Sequence, residues 1–346
     1  MTDLDVTVAH RSAREVLSWS RAEVDRALRT AVDRLPESMR VIAGYHFGWW
    51  DEHGSPTGAD PGKAIRPALV LLGAQAVGGE VDAALPAAVA VELVHNFSLL
   101  HDDVMDGDKT RRHRPTAWHV FGVNAAILAG DALLTSALDV VAGSGNAQAQ
   151  QAIRVLSGAV QRLLDGQSAD LAFEERADVP LAECVRMAEC KTGSLLGASC
   201  ALGALFGGGR DEQVEHLRSF GEQVGLAFQF VDDLLGIWGD PEVTGKPVYS
   251  DLRNRKKSLP VVAALTSGTP AARELDALYH ADRRLTDPEL ARAAELIEVS
   301  GARAWSQGRA DDLLTGARAH LRAAEPTDRA AGELDAVARL ATRRDH

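Results

Sequence analysis

Apolar residues recur every three or four positions along most of the chain, and no segment sustains an alternation of apolar and polar residues. The first period is typical of amphipathic α-helices and the second of half-buried strands. Ala and Leu dominate the sequence while aromatic residues make up 5%, a composition that also favours helices over strands. The pattern therefore predicts an all-α protein.

Glycine and proline mark where the predicted helices begin and end. Residues 11–50 are expected to form a helical segment that ends in packed aromatic side chains, and the Gly/Pro-rich residues 51–62 a loop. Pro86 suits the first turn of a further helix, which is expected to run to about Met105.

Two Gly-rich breaks, at 78–79 and 207–209, are expected to separate later helices. The polar span from Gly239 to Lys257 contains glycine and two prolines and is predicted to be a mobile flap. The chain after Pro260 is expected to return to helices without chemical motifs.

No Gly/Ser/Pro linker divides the 346 residues, so a single large helical domain is predicted. It comprises a lead-in with its loop (1–60), a core that carries the motifs (61–262) and C-terminal helices (263–346). The three cysteines are odd in number and lack metal-ligand spacing, so free core thiols are expected at Cys184, Cys190 and Cys200.

The net charge of −12 argues against a nucleic-acid partner, because backbone binders concentrate positive charge. The N-terminal residues do not resemble a secretory signal, so a cytoplasmic protein is expected. The most apolar stretch, residues 83–100, carries Glu92 and His95. It is interpreted as a buried core helix rather than a transmembrane segment.

Two acidic clusters lie in helical patterns about 130 positions apart, HDDVMD at 101–106 and FQFVDDLLGIWGD at 228–240. Asp102 and Asp106 are four apart, so on a helix they share one face and can hold hard cations through oxygen. Asp232 and Asp233 are expected on an opposing helix. Since buried carboxylates repel one another, a divalent metal site is the simplest explanation.

Basic residues accompany these clusters. A site that holds cations and also gathers Lys and Arg donors must receive a very negative ligand, and phosphate groups accept both bidentate Arg contacts and Mg²⁺. The sequence therefore predicts a diphosphate ligand. The basic residues concerned are Lys63, Arg66, Arg111, Arg112, Lys191, Lys246, Lys256 and Lys257.

The motifs together resemble the trans-type isoprenyl diphosphate synthases, also called polyprenyl synthetases. The two acidic segments match with GKAIRP at 62–67, ILAGDALL at 127–134, GQSAD at 166–170 and KTGSLL at 191–196, in the family's order. The resemblance implies a helical bundle of the isoprenoid synthase type with a central active-site cavity. It also implies a Mg²⁺-dependent prenyltransferase that condenses isopentenyl diphosphate with an allylic diphosphate, and a homodimer.

The resemblance also implies residue roles. Asp102, Asp106 and Asp232 would coordinate Mg²⁺, three ions per active site with substrate bound. The allylic diphosphate would contact Arg111, Lys191, Gln229 and Lys246, and isopentenyl diphosphate would be held by Lys63, Arg66, His95 and Arg112. Thr192, Asp233 and Lys256 are further expected substrate-binding residues.

The chemistry expected is ionisation of the allylic C–O bond, attack of the neighbouring alkene on the carbocation, and proton loss to the departing diphosphate. No protein nucleophile is required, in keeping with a chain that has no recognisable Ser/His/Asp or Cys/His motif.

The second acidic motif departs from the family pattern DDxxD, because Gly236 stands where its third aspartate is expected. Asp240 lies one turn farther on and is expected to be too distant to compensate. Arg255 stands where the family often has glycine before a lysine. The resemblance assigns the main metal contact to the first aspartate of the motif, Asp232, so loss of the third is not expected to abolish activity.

Product length is assigned to two residues before the first acidic motif. Phe97 lies five positions before Asp102, about 7.5 Å deeper along a helix axis, where its ring could form the floor of a tunnel. Ser98 is small and leaves room. The combination resembles family members that make geranylgeranyl diphosphate (C20); the alternatives are that farnesyl diphosphate (C15) is the product, or that Phe97 faces the core.

Two other functions share parts of the pattern. A class I terpene cyclase has the same fold and first motif, but its usual N-D-x-x-S-x-x-x-E motif is not found here. A noncatalytic subunit of a synthase complex typically loses the first motif, which this chain keeps. His101 and His119 are interpreted as structural, while Gln167 and Asp170 suit either a polar pair or a supporting role at the cavity.

Overall fold

The protein is helical over 76% of its length, which confirms the predicted all-α class. The computed structural model describes residues 10–58, 62, 64–241 and 247–342. Lys63 and Lys246 lie outside the described residues.

The first half of the chain contains the longest apolar helices and a two-stranded antiparallel hairpin. Its elements are α1 (Ala13–Asp33), α2 (Glu37–His46), α3 (Ile65–Ala76), α4 (Val81–Met105), β1 (Thr110–Arg111), β2 (Arg114–Pro115), α5 (Ala117–Phe121), α6 (Val123–Ala142) and α7 (Ala149–Glu175).

The second half is helical throughout its named elements. They are α8 (Leu181–Ala188), a π-helical turn (Glu189–Gly193), α9 (Ser194–Phe206), α10 (Asp211–Trp238), α11 (Ser250–Arg253), α12 (Leu259–Leu265), α13 (Pro270–Tyr279), α14 (Asp287–Val299), α15 (Ala302–Ala323) and α16 (Asp328–Thr342).

Two compact units can be distinguished. The first takes residues up to Gly158 with 198–218 and 321–337, and the second takes 159–197, 219–320 and the residues from 338 onward. In the first unit α4 packs against α1, α3 and α6. The expected aromatic packing is confirmed, since Tyr45, Phe47 and Trp49 are buried.

The second unit has two neighbouring apolar clusters that both draw on α10 and α12. One contains Phe230 of α10 and Val262 of α12, and the other Ile237 of α10 and Val261 of α12. Because α10 contributes side chains to both clusters, it is held by apolar contacts along much of its length. This fixes the segment that carries the second acidic motif.

The placement of Pro86 in a first helical turn was wrong. The helix begins at Val81, five residues earlier, with Glu80 as its extended N-cap and Asp82 in its first turn. Proline is tolerated there because the missing N–H removes one hydrogen bond close to the helix start, while Ala84 and Ala87 are fully buried on either side. The predicted end near Met105 is confirmed.

The predicted mobile flap is also partly wrong, because residues 250–253 form the short helix α11. Leu252 of this helix is fully buried in the second unit. The apolar side chain anchors a segment whose surrounding polarity suggested a loop. The expected Gly-rich breaks at 78–79 and 207–209 are confirmed between helices.

Within the part of the chain that the structure describes, two helices are long and apolar enough to span a membrane by length and composition alone. The most apolar stretch of α4 is 72% buried inside the protein, as expected for a core helix, whereas that of α6 is only 33% buried. The three cysteines are free and buried, as predicted, and burial raises the pKa of the Cys184 and Cys200 thiols.

Candidate active site

The first acidic cluster, residues Asp102, Asp103 and Asp106, lies at the C-terminal end of α4. The backbone N–H of Asp106 donates to the carbonyl of Asp102 at 2.8 Å, so these two residues stand one helical turn apart on one face. Asp102 is half-buried and Asp106 exposed. Their side chains therefore lie together at the helix end.

Asp103 points to another side of the helix and binds Arg111. The Nε and one terminal nitrogen of Arg111 lie 2.8 and 2.7 Å from Oδ1 of Asp103. Burial raises the pKa of the Asp103 carboxyl, while Arg111 acts in the opposite direction. The ion pair holds the β1 arginine close to the end of α4 that carries Asp102 and Asp106.

The hairpin between β1 and β2 positions Arg112 at its tip. Arg112 and His113 have φ values of 49° and 62°, the left-handed pair that a tight two-residue hairpin turn requires. Arg114 donates to the carbonyls of Tyr45 and Trp50 at 3.1 and 3.2 Å. The hairpin is thereby fixed to the end of α2 and the loop after it.

Arg112 also lies against the GKAIRP segment. A Cβ atom at Gly62 would stand 2.3 Å from a terminal nitrogen of Arg112, so the loop approaches the guanidinium closely here. Gly62 also has a φ of 94°, a conformation that favours glycine. Arg66 follows in the first turn of α3. The structure thus brings together Arg66 and Arg112, two of the residues expected to bind isopentenyl diphosphate.

The electrostatic field at this place is strongly positive. Burial lowers the pKa of Arg66 to about 10, although Glu92 opposes the shift. Its Nε has no hydrogen-bond partner among the described residues. Burial and the nearby Arg66, Arg112 and Arg111 groups lower the pKa of His95 well below its usual range.

His46 of α2 belongs to the same pocket, and sequence reasoning missed it. Burial, Arg111 and Arg112 lower its pKa to about 3, so at neutral pH it is a neutral donor or acceptor. We call Arg66, His95, Arg111, Arg112 and His46 the basic pocket. At neutral pH its charge comes from arginines, which suits an anionic ligand.

Phe97 and Ser98 lie on different faces of α4. Ser98 is one turn before Asp102 and shares its face, with its hydroxyl donating to the carbonyl of His95 at 2.8 Å. Phe97 is about 140° away from Asp102 around the axis. Its ring meets the His101 ring edge-to-face at 4.7 Å, and Nε2 of His101 lies 3.0 Å from the carbonyl of Ile127.

The second unit carries a separate group of polar residues around the π-helical turn, a local feature frequent at functional sites. Lys191 donates to Asp170 at 2.6 Å, and the hydroxyl of Thr192 donates to Gln229 at 2.7 Å. Asp170 therefore pairs with the KTGS lysine. Gln167 is buried with no amide partner among the described residues.

The second acidic motif on α10 combines an accessible and a buried aspartate. Asp232 is half-buried, whereas Asp233 is 2% exposed. Asp233 accepts from the Gln229 amide at 2.8 Å and from the backbone N–H of Leu259 at 2.9 Å. The ammonium group of Lys256 lies 3.6 Å away, and Asp233 raises its pKa despite burial.

Asp233 and Lys256 were both expected to bind substrate, yet in the structure each binds the other. Lys257 donates to the carbonyls of Phe173 and Arg176 at the end of α7. Arg255 has a φ of 51°, the left-handed conformation for which glycine is favoured, and its side chain bonds the carbonyl of Arg283. Arg255 therefore adopts the backbone conformation that a glycine at this position would favour.

The donor set suits Mg²⁺, which commonly takes one or two carboxylates together with substrate phosphates. Asp102 and Asp106 supply such a pair one turn apart in the first unit, and Asp232 is a half-buried carboxylate of the second unit. Within the residues that the structure describes, no group of three or more His, Cys, Asp or Glu side chains is arranged to hold a metal alone.

Comparison with known proteins identifies the family. The family model for polyprenyl synthetase matches residues 52–297. The chain is 49% identical over 303 residues to a (2E,6E)-farnesyl diphosphate synthase of Mycobacterium tuberculosis, covering 87% of this chain and 84% of the relative. A geranylgeranyl diphosphate synthase of the same organism is 45% identical over 333 residues, covering 96% and 94%.

A solved polyprenyl synthetase from Streptomyces coelicolor A3(2) superposes with a TM-score of 0.91 at 46% identity, covering 95% of this chain and 99% of that one. The helical fold and these matches thus define a prenyltransferase. The chain belongs to the polyprenyl synthetase family. Its activity class is prenyl diphosphate synthase.

Proposed function

We propose that this enzyme condenses isopentenyl diphosphate with an allylic diphosphate in the presence of Mg²⁺ and releases geranylgeranyl diphosphate. The observation that carries the proposal is the basic pocket next to the Asp102 and Asp106 pair. Asp103 pairs with Arg111 and Glu92 acts on Arg66, so two carboxyl groups face three guanidinium groups, a balance that favours an anionic ligand. A diphosphate is such a ligand and also completes the coordination of a divalent ion.

Mg²⁺ held by Asp102, Asp106 and Asp232 would stabilise the negative charge of the departing diphosphate. Arg66, Arg112 and His95 would hold isopentenyl diphosphate by its diphosphate group. The Asp103 ion pair would keep Arg111 aimed at the phosphate oxygens. Lys191, held by Asp170, would contact the allylic diphosphate with Gln229 and Thr192, and Lys63 and Lys246 complete the proposed set.

The direct test is incubation of the purified protein with Mg²⁺, labelled isopentenyl diphosphate and farnesyl diphosphate, followed by chromatography. A C20 diphosphate is expected. A cyclic hydrocarbon would identify a terpene cyclase, and no product with any allylic primer would indicate a noncatalytic subunit. Chelation of Mg²⁺ should abolish product formation.

The two diphosphate sites should be separable by mutation. Arg66→Ala is expected to raise the KM for isopentenyl diphosphate about 10- to 100-fold, because a charged hydrogen bond to phosphate contributes about 1.5–3 kcal/mol. The allylic KM should change much less. Lys191→Ala should show the reverse pattern.

Steady-state kinetics with each substrate varied in turn measures both effects. Arg154→Ala, which removes an exposed arginine of α7 that lies outside the proposed set, serves as the control and should leave both KM values near wild type. Equal effects of Arg66→Ala on the two substrates would contradict the proposed division.

The C20 assignment was made on Phe97 and Ser98, and of the two Ser98 is the one that shares the face of Asp102. Its small side chain precedes Asp102 by one turn on the same face of α4, so it leaves room along the path of a growing chain. Relatives named for C15 and C20 products have similar identities to this chain. Overall similarity therefore does not distinguish the two products, and we propose that local side chains such as Ser98 determine the length.

Ser98→Phe is expected to shorten the main product from C20 to C15, because the ring would fill the space one turn before the metal-binding pair. Ser98→Ala is the matched control and should leave product length unchanged. Phe97→Ala should give C25 or longer products if the ring forms the floor of the tunnel. Chromatography of the products decides both, and a C20 product from Ser98→Phe would contradict the assignment.

A homodimer is proposed from the exposed face of α6. Val123, Ile127 and Leu128 are 43%, 36% and 53% exposed on this apolar helix. Such a face is costly to leave in water and suits a second copy of the same chain. We further propose that the enzyme acts in the cytoplasm.

Sedimentation equilibrium at micromolar concentration should give twice the 36.9 kDa chain mass. Leu128→Lys places a charge in the proposed interface and should yield the monomer. Val299→Lys changes a residue that is 69% exposed in the other unit, and should remain dimeric. A wild-type monomer would refute the proposal.

A further inference from the structure

The position where the second motif lacks its third aspartate is filled by another carboxylate. A Cβ atom built on Gly236 would lie 2.3 and 2.7 Å from the two carboxylate oxygens of Asp251 and 2.4 Å from its Cγ. Real Cβ atoms essentially never come this close to other atoms. A side chain at 236 and the present Asp251 carboxylate therefore exclude each other.

Asp251 is held in this place by its own short helix. Tyr249 precedes α11 with a φ of 62°, and its N–H donates to the carbonyl of Ile237 at 3.3 Å. The Ser250 hydroxyl lies 3.2 Å from the carbonyl of Gly236 and 3.3 Å from Oδ1 of Asp251. These contacts tie the start of α11 to the last turns of α10.

The surroundings of Asp251 are those of the second acidic motif. Its residue is 9% exposed. The backbone N–H of Lys256 donates to the carbonyl of Asp251 at 2.9 Å. Asp233, Asp251 and Asp232 all raise the pKa of the Lys256 ammonium group. The Asp251 carboxylate therefore belongs to the same cluster of charged side chains.

The spacing explains why the position matters. Residue 236 follows Asp232 by four, as Asp106 follows Asp102, so a side chain there would share the face of Asp232 one turn away. Glycine at 236 makes space, and the Asp251 carboxylate lies in that space. A carboxylate is thus retained beside Asp232, although it comes from a different helix.

We propose that Asp251 supplies the carboxylate that Gly236 lacks and supports Mg²⁺–diphosphate binding at Asp232. This inference rests on the proposed function. It assigns to Asp251 a metal-binding role that the second motif's sequence does not predict. It also explains how the chain keeps a metal site with an incomplete motif.

The test is the Mg²⁺ dependence of inorganic diphosphate binding, measured by calorimetry on the full-length protein. Asp251→Ala should raise the Mg²⁺ concentration for half-maximal binding about tenfold or more, the range seen when groups that support a metal site are removed. Asp251→Asn keeps the shape, removes the charge and should act in the same direction.

The decisive variant is the relocation of the carboxylate. Asp251→Ala deletes the three atoms that a Cβ at 236 would meet, so Gly236→Asp combined with Asp251→Ala has room for the new side chain. The double variant should return the Mg²⁺ dependence to within about threefold of wild type, a rescue expected for a ligand and not for a packing role. Gly236→Asp alone should lower the melting temperature, because two carboxylates compete for one space.

Asp287→Asn is the matched control. Asp287 pairs with Arg253, which lies in the same short helix as Asp251, and its side chain is 84% exposed. Diphosphate binding by the Asp287→Asn variant should therefore show the Mg²⁺ dependence of wild type. Wild-type Mg²⁺ dependence in Asp251→Asn, or a double variant no better than Asp251→Ala, would overturn the inference while leaving the prenyltransferase intact. Failure of the wild-type protein to bind Mg²⁺–diphosphate would instead overturn the proposed function.

Discussion

Asp102→Ala is expected to lower kcat about 100- to 1000-fold, the loss typical when one group that stabilises developing charge is removed. Asp102 and Asp106 stand one turn apart at the end of α4. Deleting one carboxylate leaves a single metal ligand on this face. The diphosphate leaving group would then be stabilised less well at the moment the C–O bond breaks.

The measurement is kcat at saturating Mg²⁺ and substrates, together with circular dichroism to show that the fold is retained. Asp82→Ala is the matched control, since Asp82 lies exposed in the first turn of the same helix. It should keep wild-type turnover. Near-wild-type turnover of Asp102→Ala would refute the assignment of this carboxylate to the metal.

Asp233→Ala is expected to lower the free energy of unfolding by about 3 kcal/mol. The substitution leaves the buried Leu259 N–H without its acceptor and Lys256 without its nearest carboxylate. Breaking a buried pair by removing one partner costs about 3–5 kcal/mol. The lower end applies because the Lys256 side chain is 38% exposed.

Urea titration followed by circular dichroism measures this loss. Asp165→Ala serves as the control, because Asp165 pairs with Arg186 at 3.6 Å on the surface, where both side chains are well exposed. It should leave the unfolding midpoint nearly unchanged. If both variants unfolded at the same urea concentration as wild type, the contacts of Asp233 with Leu259 and Lys256 would not stabilise the fold as proposed.

The helices that were predicted correctly and those that were not show what periodicity can predict. A three-to-four-residue apolar repeat was enough to predict the all-α class and the extent of α4 to Met105, since each depends on local helix geometry. The same reasoning failed at Pro86 and at α11. In both places burial of neighbouring residues, Ala84 and Leu252, outweighs a local preference against helix.

The motifs alone were enough to predict the family, because Mg²⁺ and phosphate chemistry demands carboxylates and guanidinium groups at fixed helical spacings. The diphosphate contacts assigned to individual residues stay predictions. The motifs also led to the prediction that Arg66 and Arg112 hold the same substrate. They did not reveal that Asp103 binds Arg111, or that Asp233 binds Lys256.

Each of these pairs joins residues from different elements of the structure, so only the tertiary structure decided them. The same holds for His46, which joins the basic pocket from α2, and for Asp251, which fills the space beside Gly236 from α11. Sequence spacing determines which side chains share a helix face. Packing between helices decides which of them meet, because it fixes the distances over which charges and hydrogen bonds act.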